Sequence, residues 1–405
     1  MDSQNTQIRV LPDPNAPMAI KLLYQVLSKC KYGRLYISTN DGSFVVEGDL
    51  PGPDAEITVH NSLKIIRKLS RDGEIGFAEA YMQGDWDTNH LSDLLYWATL
   101  NLEALSACIK SNRFVRLFNR LRHYIRRNSK RGSRRNISAH YDLGNDFYKL
   151  WLDSTMTYSS AVFANENESL EQAQSRKYEQ LLASLNARPE QHILEIGCGW
   201  GGFAEHAARQ GYRVTGVTLS TEQLDWATKR IAAAGLSHLV DLRLQDYRNV
   251  EEHFDHIVSI EMFEAVGESY WPSFFDTLCA RLKPGGNIAL QTITINHHYF
   301  EQYRQNVDFI QRYIFPGGML PSPELFALHA QQAGLNLKNT ASYGKDYERT
   351  VLLWHQRFND VVHQIEYLGY DQPFIRMWRY YLSYCEAAFR DGRTSVYQYL
   401  MSKPA

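Results

Sequence analysis

The feature that most constrains this chain is a strand-turn-helix unit repeated through its second half. "QHILEIG" reads as a buried strand and runs into the glycine-rich "CGWGG", after which "GFAEHAARQ" has helical spacing. "YRVTGVTLS", "LVDLRLQD", "FDHIVSIEMF" and "NIALQTITI" follow as further strands. They are separated by the helical stretches "TEQLDWATKRIAAAG" and "WPSFFDTLCARL", the latter stopping at "KPGG". Alternation of this kind predicts an α/β fold, a doubly wound parallel sheet of Rossmann type. The stretch after residue 322 reads as largely helical and aromatic.

Upstream, "GRLYIST", "GSFVVEG" and "AEITVH" alternate as short strands beside the helical "NSLKIIRKLSRDGEIGFAEAYM", which predicts a smaller α+β domain. Between the two lies "RFVRLFNRLRHYIRRNSKRGSRR", residues 113–135, with ten basic residues and no acid. The net charge is −2, so the remainder carries −2 − 10 = −12. Phe114, Leu117, Phe118, Leu121, Tyr124 and Ile125 fall on one helical stripe flanked by arginines, which suits a peripheral helix on an anionic membrane surface. The expected organisation is an N-terminal domain over 1–112, a basic amphipathic linker over 113–137, and a catalytic domain over 138–405 ending in an acyl-binding helical part. Five scattered cysteines, none at C-x-x-C spacing, and a polar N-terminus fit a cytoplasmic protein at the inner membrane surface.

The glycine loop admits two cofactors. Gly197, Gly199 and Gly202 spell the dinucleotide pattern, but that site also needs an acid at the tip of the second strand. Here the tip reads Val217, Thr218, Leu219, Ser220. A sulfonium cofactor instead needs a nearby carboxylate and close backbone approach. Glu195, glycines 197, 199 and 201, and Asp246 with Tyr247 in "LQDYR" supply these. The cofactor expected is S-adenosylmethionine. A nucleic-acid methyltransferase with a basic arm would carry an acidic or amide residue before Pro-Pro and an aromatic; the chain has no Pro-Pro, so no nucleic-acid partner is expected.

"SAHYDLGNDFYKLWLDSTMTYSSAVF", "LEIGCGWGGF", "VTGVTLSTEQ", "LQDYR", "IVSIEMFEAVG" and "RYIFPGGMLPS", in that order, resemble the cyclopropane fatty acid synthase family from about residue 63 onward. The resemblance implies transfer of a carbon from S-adenosylmethionine to the cis double bond of an unsaturated phospholipid acyl chain, closing a cyclopropane. It also implies a role for the N-terminal region in lipid binding or homodimer contact. The implied cofactor set is Tyr158, Ser159, Glu195, Gly197, Gly199, Thr218, Leu219, Gln223, Gln245, Asp246, Tyr247 and Ile260. The implied base is a bound bicarbonate held by the Ser160 backbone, Glu264, Gln291, Ile293 and Tyr347. The family commonly has Cys where Ser160 stands, His where Gln291 stands, and His where Ala265 stands.

Methyl transfer to an alkene creates a carbocation, so the site must exclude water, stabilise positive charge and accept a proton. Tyr158, Phe163, Phe263 and Tyr347 are candidate aromatic neighbours. Gln291 keeps a donor and an acceptor but cannot become cationic. Loss of a different proton would then leave a methyl-branched unsaturated chain in place of the ring.

Overall fold

The computed structural model describes residues 18–108 and 143–404. The basic linker over 113–137 lies outside the described residues. Two compact units emerge, one of residues 1–119 with 369–391, the other of 120–368 with 392–405.

The first unit carries a four-stranded sheet in the order β2-β1-β3-β4: β1 Tyr32–Thr39, β2 Gly42–Glu47, β3 Leu50–Val59 and β4 Trp86–Asp87. β1 pairs antiparallel with β2 and parallel with β3. The helical stretch foreseen after β3 is broken into Ser62–Asp72 and Glu74–Met82 by Gly73 at φ 60°. Trp86 is fully buried and stacks on Phe77 with ring centroids 4.3 Å apart.

The twenty-residue helix Gln372–Asp391, expected to belong to the catalytic domain's acyl-binding part, joins this first unit instead. Its guanidinium groups explain the placement. Arg376 donates to the Trp86 carbonyl at 2.9 Å and pairs with Asp87 at 2.7 Å, while Arg390 pairs with Asp93 at 2.8 Å.

The second unit is built on a seven-stranded sheet in the order β10-β11-β9-β8-β5-β6-β7. β5 His192–Ile196, β6 Arg213–Thr218, β7 Val240–Leu244, β8 Phe254–Ile260 and β9 Leu282–Ile295 are mutually parallel along the ladder. The doubly wound α/β expectation holds. Two further strands sit where helix was expected, β10 Asn336–Ser342 and β11 Thr394–Ser402; β11 pairs antiparallel with both β9 and β10. β10 is polar and mostly exposed at the sheet edge, so it has no apolar alternation to announce it.

Chain order reverses on either side of β5, and the crevice beyond the carboxyl ends of β5 and β8 is where such sheets bind ligands. Beneath it, Leu194, Ile196, Ile257, Phe263, Phe274, Ile288 and Leu290 form a solvent-free core that fixes the strand ends. Among the described residues no helix is long and apolar enough to cross a membrane.

Candidate functional site

The loop after β5 turns through three left-handed glycines, Gly197 at φ 82°, Gly199 at 50° and Gly201 at 81°, before the helix Gly202–Arg209 begins. A Cβ on Gly199 would meet nothing within 4 Å, so the loop leaves open space on that side. Gly202, which completed the dinucleotide pattern, has another use. A Cβ there would fall 2.5 Å from the Tyr178 hydroxyl, so this glycine serves close packing.

At the tip of β6, where a dinucleotide site needs an acid, the residues are neutral. Thr218 donates to the buried Gln223 amide oxygen at 3.2 Å, and Ser220 caps the helix Thr221–Ala233 by accepting from the Gln223 N–H. Leu219 lies between them. Glu195, inside β5, is buried, and its Oε2 has no hydrogen-bond partner among the described residues. Burial pushes its carboxyl up to about 8, against the pull of Arg230 and Lys177. An unpartnered buried carboxylate oxygen, left-handed glycines and open space over Gly199 fit a cationic sulfonium cofactor.

After β7, Gln245 donates from its backbone to Thr218 and from its side chain to Asn249, at 3.0 and 2.8 Å. Asp246 is more constrained than the sequence suggested. Its carboxylate accepts from the Arg248 backbone at 3.0 Å and from the Arg248 guanidinium at 2.6 Å. That guanidinium in turn lies 5.6 Å from the centre of the Tyr247 ring.

An aromatic wall extends from the loop. Trp200, whose indole N–H donates to Asn145 at 2.7 Å, stands 5.2 Å from Tyr148; Tyr148 is 5.6 Å from Tyr158, Tyr158 is 5.2 Å from Trp354, and Trp354 is 6.1 Å from Tyr347. Tyr158 and Tyr347 both belong to this row. Phe263 does not: it is fully buried against Phe274, Phe275 and Phe326 and belongs to the core. The Phe163 ring is covered by the Arg349 guanidinium at 3.9 Å.

Four of the five residues assigned to bicarbonate, Ser160, Gln291, Ile293 and Tyr347, donate to carboxylates of the chain itself, Glu261 and the fifth residue, Glu264. The Ser160 backbone N–H and the Gln291 Nε2 each donate to Glu261 Oε1 at 2.8 Å, and the Tyr347 hydroxyl donates to Glu261 Oε2 at 2.6 Å. Ile293 N–H and the Thr292 hydroxyl donate to Glu264 Oε1. Glu264 Oε2 is sealed from solvent and has no partner among the described residues. Burial raises both carboxyls; Glu264, further opposed by the charge of Glu261, reaches about 8. The Lys177 ammonium adds a favourable charge to Glu261, whereas Glu264 is opposed by its neighbouring carboxylate.

Register explains the convergence. Ile260, the last residue of β8, pairs with Gln291 on β9, and Gln398 on β11 pairs with the same residue from the other side. Gln398 donates to the Gln291 amide oxygen at 3.0 Å, which turns the Gln291 NH2 toward Glu261 and the Ser160 carbonyl. The extended segment around Ser160 is clamped by two helices. From Leu170–Ser184, Gln174 donates to the Ser159 carbonyl at 2.9 Å and the fully buried Lys177 donates to the Ser159 hydroxyl at 2.6 Å. From Gly344–Asp360, Thr350 accepts from the Ala161 N–H at 3.1 Å and Asp346 from the Phe163 N–H at 2.6 Å. Burial lowers the Lys177 ammonium to about 7, opposed chiefly by Glu261.

Glu261 and Lys177 went unnoticed in the sequence, yet each left a trace. Glu261 stands at the end of the strand run "FDHIVSIE", an acid closing a strand three residues before Glu264. Lys177 interrupts an apolar helix stripe of Leu170, Ala173, Tyr178, Leu181 and Leu182.

Residues 128–399 match the family described as mycolic acid cyclopropane synthetase. The chain is 37% identical to the tuberculostearic acid methyltransferase UfaA1 of Mycobacterium tuberculosis over 396 residues, 96% of this chain and 91% of that one. It is 32% identical to the cyclopropane-fatty-acyl-phospholipid synthase of Escherichia coli K12 over 372 residues, 88% of this chain and 90% of the relative. Among solved structures, mycolic acid cyclopropane synthase CmaA1 complexed with SAH and CTAB superposes with a TM-score of 0.63 and 31% identity, covering 67% of this chain and 98% of that one. The sulfonium-type cradle and these similarities converge: the chain belongs to the mycolic acid cyclopropane synthetase family and is an S-adenosylmethionine-dependent methyltransferase.

Proposed function

We propose that this enzyme methylates the cis double bond of an unsaturated phospholipid acyl chain and releases a methyl-branched unsaturated chain. The observation that carries the reading is the aromatic wall from Trp200 through Tyr148, Tyr158 and Trp354 to Tyr347, ending on a carboxylate. A hydrocarbon substrate needs apolar surface, and the cation formed on it is stabilised by negative ring faces. The cofactor supplies an electrophilic methyl group. Glu195 and the glycine loop bind it, and the aromatics exclude water. Similarity along 96% of the chain to a tuberculostearic acid methyltransferase favours the branched product over the ring.

A ring-closing reaction remains the second reading, favoured by similarity to a cyclopropane-fatty-acyl-phospholipid synthase over 88% of the chain. Expression in a host without either lipid, followed by mass spectrometry and NMR of the acyl chains, tests both. A gain of one CH2 without cyclopropane proton signals is expected. Ring signals would replace the first reading with the second, and an unchanged mass would overturn both.

The same reading places the basic residues of 113–137 at the anionic bilayer that holds the substrate. Each basic side chain near such a surface contributes about 1 kcal/mol, weakened by salt. Flotation with anionic vesicles should fail at high salt, and salt-insensitive binding would remove the arginines as the anchor.

A further inference from the structure

Glu261 combines three properties that packing alone does not require. It adopts φ 49°, a left-handed conformation uncommon for a residue with a side chain. It stands at the carboxyl end of β8, in the crevice shared with the glycine loop. Its carboxylate receives a donor from each of Ser160, Gln291 and Tyr347. The distribution over its two oxygens is unequal. Oε1 takes the Ser160 N–H and the Gln291 NH2, whereas among the described residues Oε2 takes the Tyr347 hydroxyl alone, which leaves a lone pair of Oε2 for an incoming proton.

We propose that the Glu261 carboxylate is the built-in proton acceptor of the reaction, occupying the anion position with a group of the chain itself and removing any need for bicarbonate. This rests on the functional reading above. In the step, the alkene π pair bonds the methyl carbon while the carbon–sulfur bond breaks and its electrons return to sulfur. The carbocation left on the acyl chain then loses one C–H proton to Glu261 Oε2, and the C–H electron pair becomes the π bond of the branched alkene. Release of that proton to water restores the carboxylate, so one proton and one neutral thioether leave per turnover. Lys177 acts as a positioning residue: through Ser159 it fixes the segment whose Ser160 N–H aims at Glu261.

The test uses the full chain, S-adenosylmethionine and vesicles of dioleoylphosphatidylglycerol, in decarbonated buffer with and without added bicarbonate. Cofactor consumption and acyl mass are followed together. Wild type should turn over equally in both buffers. Glu261→Gln should lose about 10²–10⁴-fold in rate, the range supplied by a positioned base, while keeping cofactor affinity. Glu261→Gly relieves the left-handed strain and opens the anion position. Without bicarbonate it should be as slow as the Gln variant, and it should recover at least about tenfold when bicarbonate is added. A wild type that works only with bicarbonate, or a Gln variant at the wild-type rate, overturns this assignment alone. A wild type that modifies no acyl chain overturns the functional reading together with it.

Discussion

Replacing Glu264 by Gln tests the electrostatics of the carboxylate pair without moving its atoms. The Gln oxygen can keep the bonds from Thr292 and Ile293, and its NH2 takes the place of the sealed, unpartnered Oε2. Below neutral pH the native carboxyl is already protonated and presents an unpaired O–H there, so an unpaired N–H costs only about 1 kcal/mol more. The larger effect is on pH dependence. Burial and the neighbouring Glu261 raise Glu264 from 4.5 to about 8, so between those values the folded state holds a proton that the unfolded state has lost. Its contribution to stability is complete below the unfolded value, falls as pH rises, and is gone above the folded one. The slope is about 1.4 kcal/mol per pH unit. Between roughly pH 5.5 and pH 7.5 the wild type should therefore lose stability on the order of 2–3 kcal/mol that Glu264→Gln does not lose. Urea unfolding of the catalytic unit, followed by tryptophan fluorescence at both pH values, reads the difference directly. A stability gap between variant and wild type that stays constant within about 0.5 kcal/mol would mean that Glu264 ionises as an ordinary carboxylate, and the upward shift argued from its burial beside Glu261 would fail.

Four further substitutions have expected outcomes. Lys177→Met removes the donor to Ser159 and Gln174 and leaves three buried acids without their cation, so thermal unfolding should show a loss of about 3–5 kcal/mol. Because burial depresses Lys177 from 10.5 to about 7, wild-type stability should gain from rising pH within that window, and the variant should lack this gain. Gly199→Ala places its methyl in open space and strains the backbone by about 1–2 kcal/mol, so it should remain folded while calorimetry shows cofactor affinity reduced at least about tenfold. Gly197→Ala, whose Cβ would fall 2.8 Å from the Met262 side chain, should cost more stability; equal stability would contradict the close approach of Met262. Gln291→His introduces a group able to carry positive charge beside Glu261, and gas chromatography of the fatty esters should show more ring product.

The parallel strands from β5 to β9 were legible because each is a short apolar run bounded by glycine or helix signals. The cofactor end of the site was legible for a related reason. Glycines at φ 82° and 50° and a buried acid on β5 are local properties of ten consecutive residues. What escaped depends on distance along the chain. β11 carries alternating Val, Tyr, Leu and Met that a helix could also use, and its strand character comes from pairing with β9. Ser160, Gln291 and Tyr347 converge in the structure, but local sequence does not show which carboxylate their donors reach. That is decided by the backbone turn at Glu261, whose φ of 49° swings its side chain into the position assigned to a free anion. The helix Gln372–Asp391 misled for the opposite reason, since its aromatic content suits an acyl channel and a domain core equally well.

The route of the chain through β11 has a consequence for biosynthesis. β11 follows every other described strand in chain order, yet it lies between β9 and β10, and Gln398 meets Gln291 across 107 residues. A nascent chain that has made β5 to β9 holds a sheet with one raw edge, and β10 has nothing to pair with until β11 arrives. Until Thr394–Ser402 is made, the sheet keeps that open edge and Gln291 lacks its Gln398 partner. A stall or cleavage before Thr394 would release a species exposed to edge-to-edge aggregation and lacking the residue that orients Gln291.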